Sequence, residues 1–155
     1  MANADNYGTN YNELHRRLIA AAHDQSISAD TVRQWEGEAL ALSDQSFESF
    51  GSQISRYPEI THLEHRTNVQ LCAVNALKIR RAITREEYSR RLAELKSNYV
   101  KLREVLPRIS SEGMYWEELQ FIEREQKALS RTAFNPVGCL ILVALLVVIL
   151  IVATR

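Results

Sequence analysis

The chain has 155 residues, 46% of them hydrophobic, and its 19 basic residues balance its 19 acidic ones. Five Gly and three Pro are too few for a collagenous, low-complexity or turn-rich all-β chain. Two Cys exclude the disulfide framework of a small secreted scaffold. We therefore expect an all-α protein, with a small bundle of about four to five helices followed by one C-terminal transmembrane helix.

Polar residues 1–9 are expected to form an N-terminal tail before a helical domain over residues 10–131. Apolar spacings of three and four and capping signals divide this domain into about five helices. The first is predicted to begin near Asn10, with four apolar residues on one face: Tyr11, Leu14, Leu18 and Ala21.

The second helix is predicted to begin at Ser28, a residue type that caps helix N-termini. Its apolar stripe is Val32, Trp35, Ala39 and Leu42. The stripe then changes phase at Phe47, and Gly51 lies within the change, so we expect a break or bend between residues 46 and 51. Tyr57 and Pro58 are expected to separate this helix from the next.

The third helix, from Glu59 to about Arg81, has two apolar sides, which predicts a position between neighbouring helices. The wider side comprises Ile60, Leu63, Thr67, Leu71, Val74 and Leu77. The narrower side comprises His62, His65, Val69, Cys72 and Ala76. We expect this helix to form the centre of the domain.

The start of the fourth helix is the sharpest local signal in the chain. Thr84 and Glu87 fit a capping box, and Ile83 and Tyr88 fit the hydrophobic staple around it. Heptad-like spacing continues through Leu92, Leu95, Tyr99, Leu102 and Leu106, and Pro107 is predicted to end the helix. Under three heptads are present, which favours a bundle helix over a free coiled coil.

A fifth helix is predicted to begin at Ser110 or Ser111. Its apolar register is Tyr115, Leu119, Ile122, Gln126 and Leu129. Residues 132–136, which include Asn135 and Pro136, are interpreted as a hinge.

Residues 77–95 carry a family resemblance. The string Ile83-Thr-Arg-Glu-Glu-Tyr-Ser-Arg-Arg-Leu-Ala-Glu-Leu95 resembles the second helix of the short helical hairpin in bacterial SHOCT domains, with Ala82 where a Gly usually precedes the Ile. SHOCT hairpins often stand beside transmembrane segments and are regarded as association elements. The resemblance therefore implies an association role near a membrane.

Residues 137–153 contain no charged or strongly polar side chain, and as a helix they would span about 26 Å. Because only Thr154 and Arg155 follow, we expect a tail anchor that binds the lipid bilayer directly. Residues 1–10 lack the features of a signal peptide. More basic residues precede the segment than follow it, which predicts a cytoplasmic domain. An endoplasmic-reticulum-type or bacterial inner membrane is favoured over the mitochondrial outer membrane.

Cys139 lies near the cytosolic end of this segment. It has two interpretations, a site of reversible acylation or an ordinary small apolar residue.

Although the total charges balance, basic and acidic residues are unevenly distributed along the chain. Residues 1–77 contain five basic and ten acidic residues, whereas residues 78–108 contain ten basic and four acidic ones. The basic candidates are Lys78, Arg80, Arg81, Arg85, Arg90, Arg91, Lys96, Lys101, Arg103 and Arg108. They are interpreted as a solvated face complemented by the acidic helices, as a contact for anionic lipid, or as a contact for an acidic partner. Nucleic acid is disfavoured because no recognised binding motif accompanies the charge.

Glu59 and His62 have the Glu-x-x-His spacing found in di-iron bundles, and His65 follows one turn later. No second such unit exists in the sequence, and Cys72 is about 10.5 Å beyond His65 along a helix. We expect packed histidines, no metal or other cofactor, and no enzymatic activity.

The leading hypothesis is a tail-anchored interaction protein, acting as an adaptor, scaffold or structural component through a protein partner or self-association of its helices. A SNARE-like fusion component is one alternative, although Pro107 and Gly113 interrupt the long heptad helix it requires. A membrane-active regulator of cell death or lysis is the other, although the Asn-Trp-Gly-Arg signature of the Bcl-2 group is missing.

Overall fold

The structure, a computed structural model, describes the backbone of residues 4–105 and 115–132 and the side chains of residues 8–50, 55–105 and 115–131. This part of the chain contains five helices and no strand. They are α1 (Ala4–Ala21), α2 (Ala29–Ile54), α3 (Pro58–Ile79), α4 (Arg85–Val105) and α5 (Trp116–Thr132). The predicted all-α bundle is confirmed for these residues.

The chain divides into two compact units, residues 1–122 and residues 123–155. The boundary falls within α5, so residues 116–122 of that helix belong to the first unit. No helix among the described residues is long and apolar enough to cross a membrane. The predicted membrane segment, residues 137–153, lies outside the described residues, and so does Cys139.

The apolar face predicted for α1 is confirmed. All four of its residues are buried: Tyr11, Leu14, Leu18 and Ala21. The helix begins at Ala4, before the predicted start at Asn10. Extending an existing helix by one residue needs far less free energy than nucleating it, so a packed segment readily gains further turns at its N-terminus.

Ser28 caps α2 as predicted, because its Oγ accepts a hydrogen bond of 3.1 Å from the backbone N–H of Thr31. Of the break or bend predicted between residues 46 and 51, the break is wrong, since α2 continues to Ile54. A helical Gly costs only about 1 kcal/mol relative to Ala. Packing on α3 offsets this cost: the ring of Phe47 stacks on that of His62, with centroids 4.4 Å apart.

The predicted start and central position of α3 are both confirmed. Tyr57 precedes the helix, and Pro58 occupies its first turn, where no N–H is needed. Residues of both predicted apolar sides are buried, and they are Thr67, Val69, Val74, Ala76 and Leu77. The helix contacts α1, α2 and α4, and these neighbouring helices on different sides explain why α3 has two buried sides.

The Thr84 cap predicted for α4 is also confirmed. The backbone N–H of Glu87 donates to Thr84 Oγ1 at 3.1 Å. The predicted apolar positions that the structure describes are all buried, namely Tyr88, Leu92, Leu95, Tyr99 and Leu102. Each fully buried Leu contributes about 1.5–3 kcal/mol relative to an exposed one, so this face holds α4 on the bundle.

Helix α5 begins later than predicted. Tyr115 has a φ of 64°, in the left-handed region, and α5 starts at the next residue, Trp116. A right-handed helix running from Ser110 or Ser111 through Tyr115 is therefore wrong; both serines lie outside the described residues. The predicted register holds within the first unit, where Tyr115, Leu119 and Ile122 are buried.

Helices α3 and α4 run antiparallel. Near the end of α3, the Lys78 ammonium lies 5.4 Å from the centre of the Tyr88 ring, near the start of α4. Further from this loop, the hydroxyl of Tyr99 donates to Asn68 Oδ1 at 2.8 Å. Residues later in α4 therefore face residues earlier in α3.

Candidate interaction surface

The predicted basic residues do not form one continuous surface. Six of the nine that the structure describes are exposed: Lys78, Arg81, Arg85, Arg90, Lys101 and Arg103. The other three are half-buried, and they are Arg80, Arg91 and Lys96. Arg108 lies outside the described residues.

Arg80 is bound within the fold. Its guanidinium donates to the carbonyl oxygens of Ile27 and Ala76, both at 2.6 Å, and to that of Asp24. It follows the last turn of α3, where main-chain carbonyls lack helical partners and favour a nearby cation. Arg80 thus connects the end of α3 to the loop between α1 and α2.

Arg91 is also committed to an internal contact. Its Nη2 donates to Oε1 of Glu36 on α2 at 2.5 Å. The side chains of Arg91 and Glu36 are only 19% and 8% exposed. Burial raises the pKa of Glu36, even though the charge and hydrogen bond of Arg91 act in the opposite direction. The pair therefore joins the basic helix α4 to the acidic helix α2.

Two exposed basic residues lie over aromatic rings. Besides Lys78, the Arg103 guanidinium lies 5.7 Å from the centre of the Trp116 ring. Trp116 is 54% exposed, a large fraction for an apolar side chain of this size.

Arg90 forms an ion pair with Glu94 at 3.8 Å, and both side chains are more than half exposed, so this pair adds little stability.

Helix geometry separates the basic residues of α4 into different faces. Arg85, Lys96 and Arg103 are spaced by 11 and 7 residues, which places them within about 20° of one line along the helix. Arg90 and Lys101 lie about 140° around the helix from that line. Arg91 is separate from both groups, on the side that meets α2.

His62, which shares the Glu-x-x-His spacing with Glu59, contacts Asp44 on α2. His62 Nε2 lies 2.7 Å from Asp44 Oδ1, and Arg66 donates to the same oxygen. Burial would raise the pKa of Asp44, but the hydrogen bonds from Arg66 and His62 outweigh it and lower that pKa. Among the described residues, no three potential ligands are grouped to hold a metal ion.

A second polar cluster lies between α1 and α3. Tyr11 donates to the carbonyl oxygen of His65 at 3.0 Å, and the two rings stack 4.6 Å apart. The His15 Nε2 lies 3.6 Å from Cys72 Sγ. Burial lowers the pKa of both histidines and raises the pKa of Cys72 to about 11, so neutral forms are favoured at pH 7.

Two further polar contacts of α3 could not be predicted from the sequence. The hydroxyl of Tyr115 donates to Glu64 Oε1 at 2.5 Å. Asn68 accepts from Tyr99, whose ring lies 5.2 Å from that of Tyr115. Glu64 and Asn68 lie between the two apolar sides of α3. This position is the only feature of the sequence that could have indicated their contacts with other helices.

An open groove and a small pocket accompany these contacts in the described part of the chain. An open groove of about 460 Å³ lies between α1 and α2, with Leu14 and Leu42 among its lining residues. A pocket of about 30 Å³ between α2 and α3 is lined in part by Ser43, Thr61 and His65. The Oγ of Ser43 is buried without a hydrogen-bond partner.

Comparisons of the chain with protein-family models, with curated proteins and with solved structures find no match.

Proposed function

We propose that the protein is a membrane-anchored helical interaction domain without enzymatic activity. Residues 137–153 insert into a bilayer, and residues 1–122 bind partners beside it. The observation that carries this proposal is the uncharged run of residues 137–153. A helix of this composition has no polar face to present to water, so its transfer from water into lipid is favourable.

The organisation of the rest of the chain supports a separate binding domain. Residues 1–122 form a compact unit with its own apolar core, contributed by α1, α2 and α3 and extended by the buried face of α4. Several polar side chains of this unit bond one helix to another, as Arg91 does to Glu36 and Tyr99 to Asn68. Their arrangement supports a rigid scaffold for surface contacts.

Exposed features of the same unit supply the binding surfaces. Residues 77–95 form the end of α3, a loop and the start of α4, and their resemblance to SHOCT hairpins supports an association role. The groove between α1 and α2 has a size within the usual range for ligand clefts, about 300–1,000 Å³. A protein partner or a second copy of the chain is the proposed occupant of these surfaces.

Membrane insertion is tested by flotation of the full chain with vesicles, followed by alkaline carbonate extraction. We expect the chain to float and to resist extraction. A variant carrying both Leu145→Lys and Val148→Lys is expected to lose both properties, because each Lys at the helix centre costs about 2.5–3.5 kcal/mol. The matched Leu145→Phe and Val148→Phe variant is expected to behave like the original chain. Extraction of the unchanged chain by carbonate would contradict the proposal.

Partner binding is tested by proximity labelling from the anchored chain. Because Arg80 and Arg91 hold internal contacts, the surface variants are confined to exposed residues, Arg81→Glu and Arg90→Glu. We expect them to remove specific neighbours from the labelled set while the helical content, measured by circular dichroism, stays constant. An unchanged set of neighbours would remove this basic surface from the proposal.

A further inference from the structure

An apolar and cationic patch lies where the end of α4 meets the start of α5. Val100 and Arg103 are neighbours on one face of α4, because residues three apart lie side by side on a helix. Arg103 lies over the ring of Trp116. Val100 and Trp116 are 38% and 54% exposed, so both present apolar surface to solvent. We call Val100, Arg103 and Trp116 the tryptophan patch.

The tryptophan patch has the composition of a surface that lies at a lipid–water boundary. Trp is enriched at that boundary because its ring is apolar and its N–H is polar. Arg donates bidentate hydrogen bonds to phosphate oxygens, and its methylene groups can remain in apolar surroundings. Lys96, half-buried, lies on the same line of α4 as Arg103 and adds a second positive charge.

The charge of the surrounding segment matches anionic headgroups. Residues 78–108 have ten basic and four acidic residues, of which Arg80 and Arg91 are used in internal contacts, and Glu117 and Glu118 follow Trp116 in the first turn of α5. The net charge of the exposed residues of this segment remains positive. The four glutamates of α4 all lie about 80° or more around the helix from Arg103 and Lys96; they are Glu86, Glu87, Glu94 and Glu104. Each Lys or Arg held near an anionic membrane surface favours binding by about fivefold in the equilibrium constant.

The proposed anchor keeps the patch close to such a surface. Only the 14 residues 123–136 separate the first compact unit from the run 137–153. Residues 123–132 belong to α5 and rise about 15 Å as a helix, and residues 133–136 add about 14 Å at most, so the reach is about 30 Å. A tether of this length raises the effective concentration of the bilayer, so a weak contact becomes populated.

We propose that the tryptophan patch docks on anionic phospholipid headgroups of the membrane in which residues 137–153 are inserted. This inference rests on the proposed function, since the anchor supplies the proximity. Docking orients residues 1–122 on the membrane surface.

The experiment uses the full chain with Trp35→Phe, which leaves Trp116 as the only Trp. The chain is reconstituted into vesicles of phosphatidylcholine alone or of phosphatidylcholine with phosphatidylserine. Both contain a nitroxide-labelled lipid that quenches Trp fluorescence at headgroup depth. We expect stronger quenching of Trp116 in the anionic vesicles, and we expect high salt to reduce it.

Two matched variants, each of which removes one positive charge, distinguish binding through the tryptophan patch from a general effect of positive charge. Arg103→Gln is expected to lower the ratio of docked to undocked chain about fivefold. Arg90→Gln, on the other face of α4, removes the same charge and is expected to leave that ratio unchanged. Equal quenching in both vesicles, or equal effects of the two variants, would overturn the docking proposal. Shielding of Trp116 from acrylamide by an acidic protein, without quenching from lipid, would overturn it as well.

Failure of the anchor is distinguishable in the same preparation. If the chain does not float with either type of vesicle, the proposed function fails and docking through the patch fails with it. If the chain floats with both and Trp116 remains unquenched in both, the anchor stands and only the docking proposal is overturned.

Discussion

Arg91 donates a 2.5 Å hydrogen bond to Glu36, and this pair links α4 to α2 across 55 positions of the sequence. Both side chains are largely removed from solvent. Because a buried charge is stable only when it is paired, the two residues depend on each other. Part of the positive charge of residues 78–108 is therefore used inside the fold.

Removal of Arg91 is predicted to be strongly destabilising. Arg91→Ala leaves the Glu36 carboxylate buried without its cation, which costs about 3–5 kcal/mol in the free energy of unfolding. Arg90→Ala breaks an exposed pair and is expected to cost less than about 1 kcal/mol. Chemical denaturation monitored by circular dichroism measures both. The double variant Glu36→Leu and Arg91→Leu is expected to lose less stability than Arg91→Ala, and a larger loss would contradict this account.

Arg80 is predicted to be irreplaceable by Lys. A single ammonium group cannot match the planar guanidinium that donates to three carbonyl oxygens from α3 and the α1–α2 loop. Arg80→Lys is expected to lower the free energy of unfolding by about 1–3 kcal/mol. The adjacent exposed residue provides the control, and Arg81→Lys is expected to change stability by less than about 0.5 kcal/mol. Equal effects of the two substitutions would show that the hydrogen bonds of the Arg80 guanidinium contribute nothing to the free energy of unfolding.

Acid is predicted to destabilise the bundle through His15 and His65. Burial lowers the pKa of both residues below the ordinary histidine value of 6.5, so the unfolded chain binds their protons more readily than the folded one. Stability is therefore complete above pH 6.5 and is lost as pH falls from there towards the folded-state pKa values. Denaturation midpoints measured from pH 8 down to pH 5 follow this loss.

Substitution of the two buried histidines isolates their contribution. His15→Gln combined with His65→Gln is expected to flatten the pH dependence, whatever its effect on stability at pH 8. His23→Gln, at an exposed position, is the matched control for the loss of an imidazole. The raised pKa of Glu36 acts in the opposite direction, because protonation of that carboxyl favours the folded state. A double variant as acid-sensitive as the original chain would exclude the histidines as the cause.

Ser43 is predicted to be replaceable by Ala without loss. Its Oγ is buried with no hydrogen-bond partner, and an unsatisfied buried hydroxyl costs about 1–3 kcal/mol. Ser43→Ala removes that group and is expected to leave the melting temperature unchanged or to raise it. Ser28→Ala removes the cap of α2 and is expected to cost about 1 kcal/mol. If Ser43→Ala lowers the melting temperature as much as Ser28→Ala does, a water or ligand in the 30 Å³ pocket bonds the hydroxyl.

Features encoded by neighbouring residues were predictable from the sequence. The start of α4 depends on Thr84 and the three residues after it, and its buried face depends on a regular spacing from Tyr88 onwards. Both signals lie within one helix, so they do not require knowledge of the fold. The position of α3 between neighbours followed from its two apolar sides in the same way.

Features that depend on distant residues were not predictable. Gly51 suggested a break in α2, but the packing of Phe47 on His62 carries the helix through that region. The Arg residues at positions 80 and 91 resemble surface charges in the sequence, and only the fold brings Glu36 and the carbonyl of Ile27 to them. The left-handed conformation of Tyr115 likewise has no signal in a residue type that seldom adopts it.

Residues 137–153 are proposed to occupy a bilayer while residues 1–122 fold without them. Hydrogen exchange of the full chain, measured by mass spectrometry in vesicles and in detergent-free buffer, tests this claim most directly. We expect slow exchange of residues 137–153 only in vesicles, and equal protection of α1 to α4 in both conditions. A monomer in buffer with residues 137–153 protected by packing against its own helices would contradict the claim.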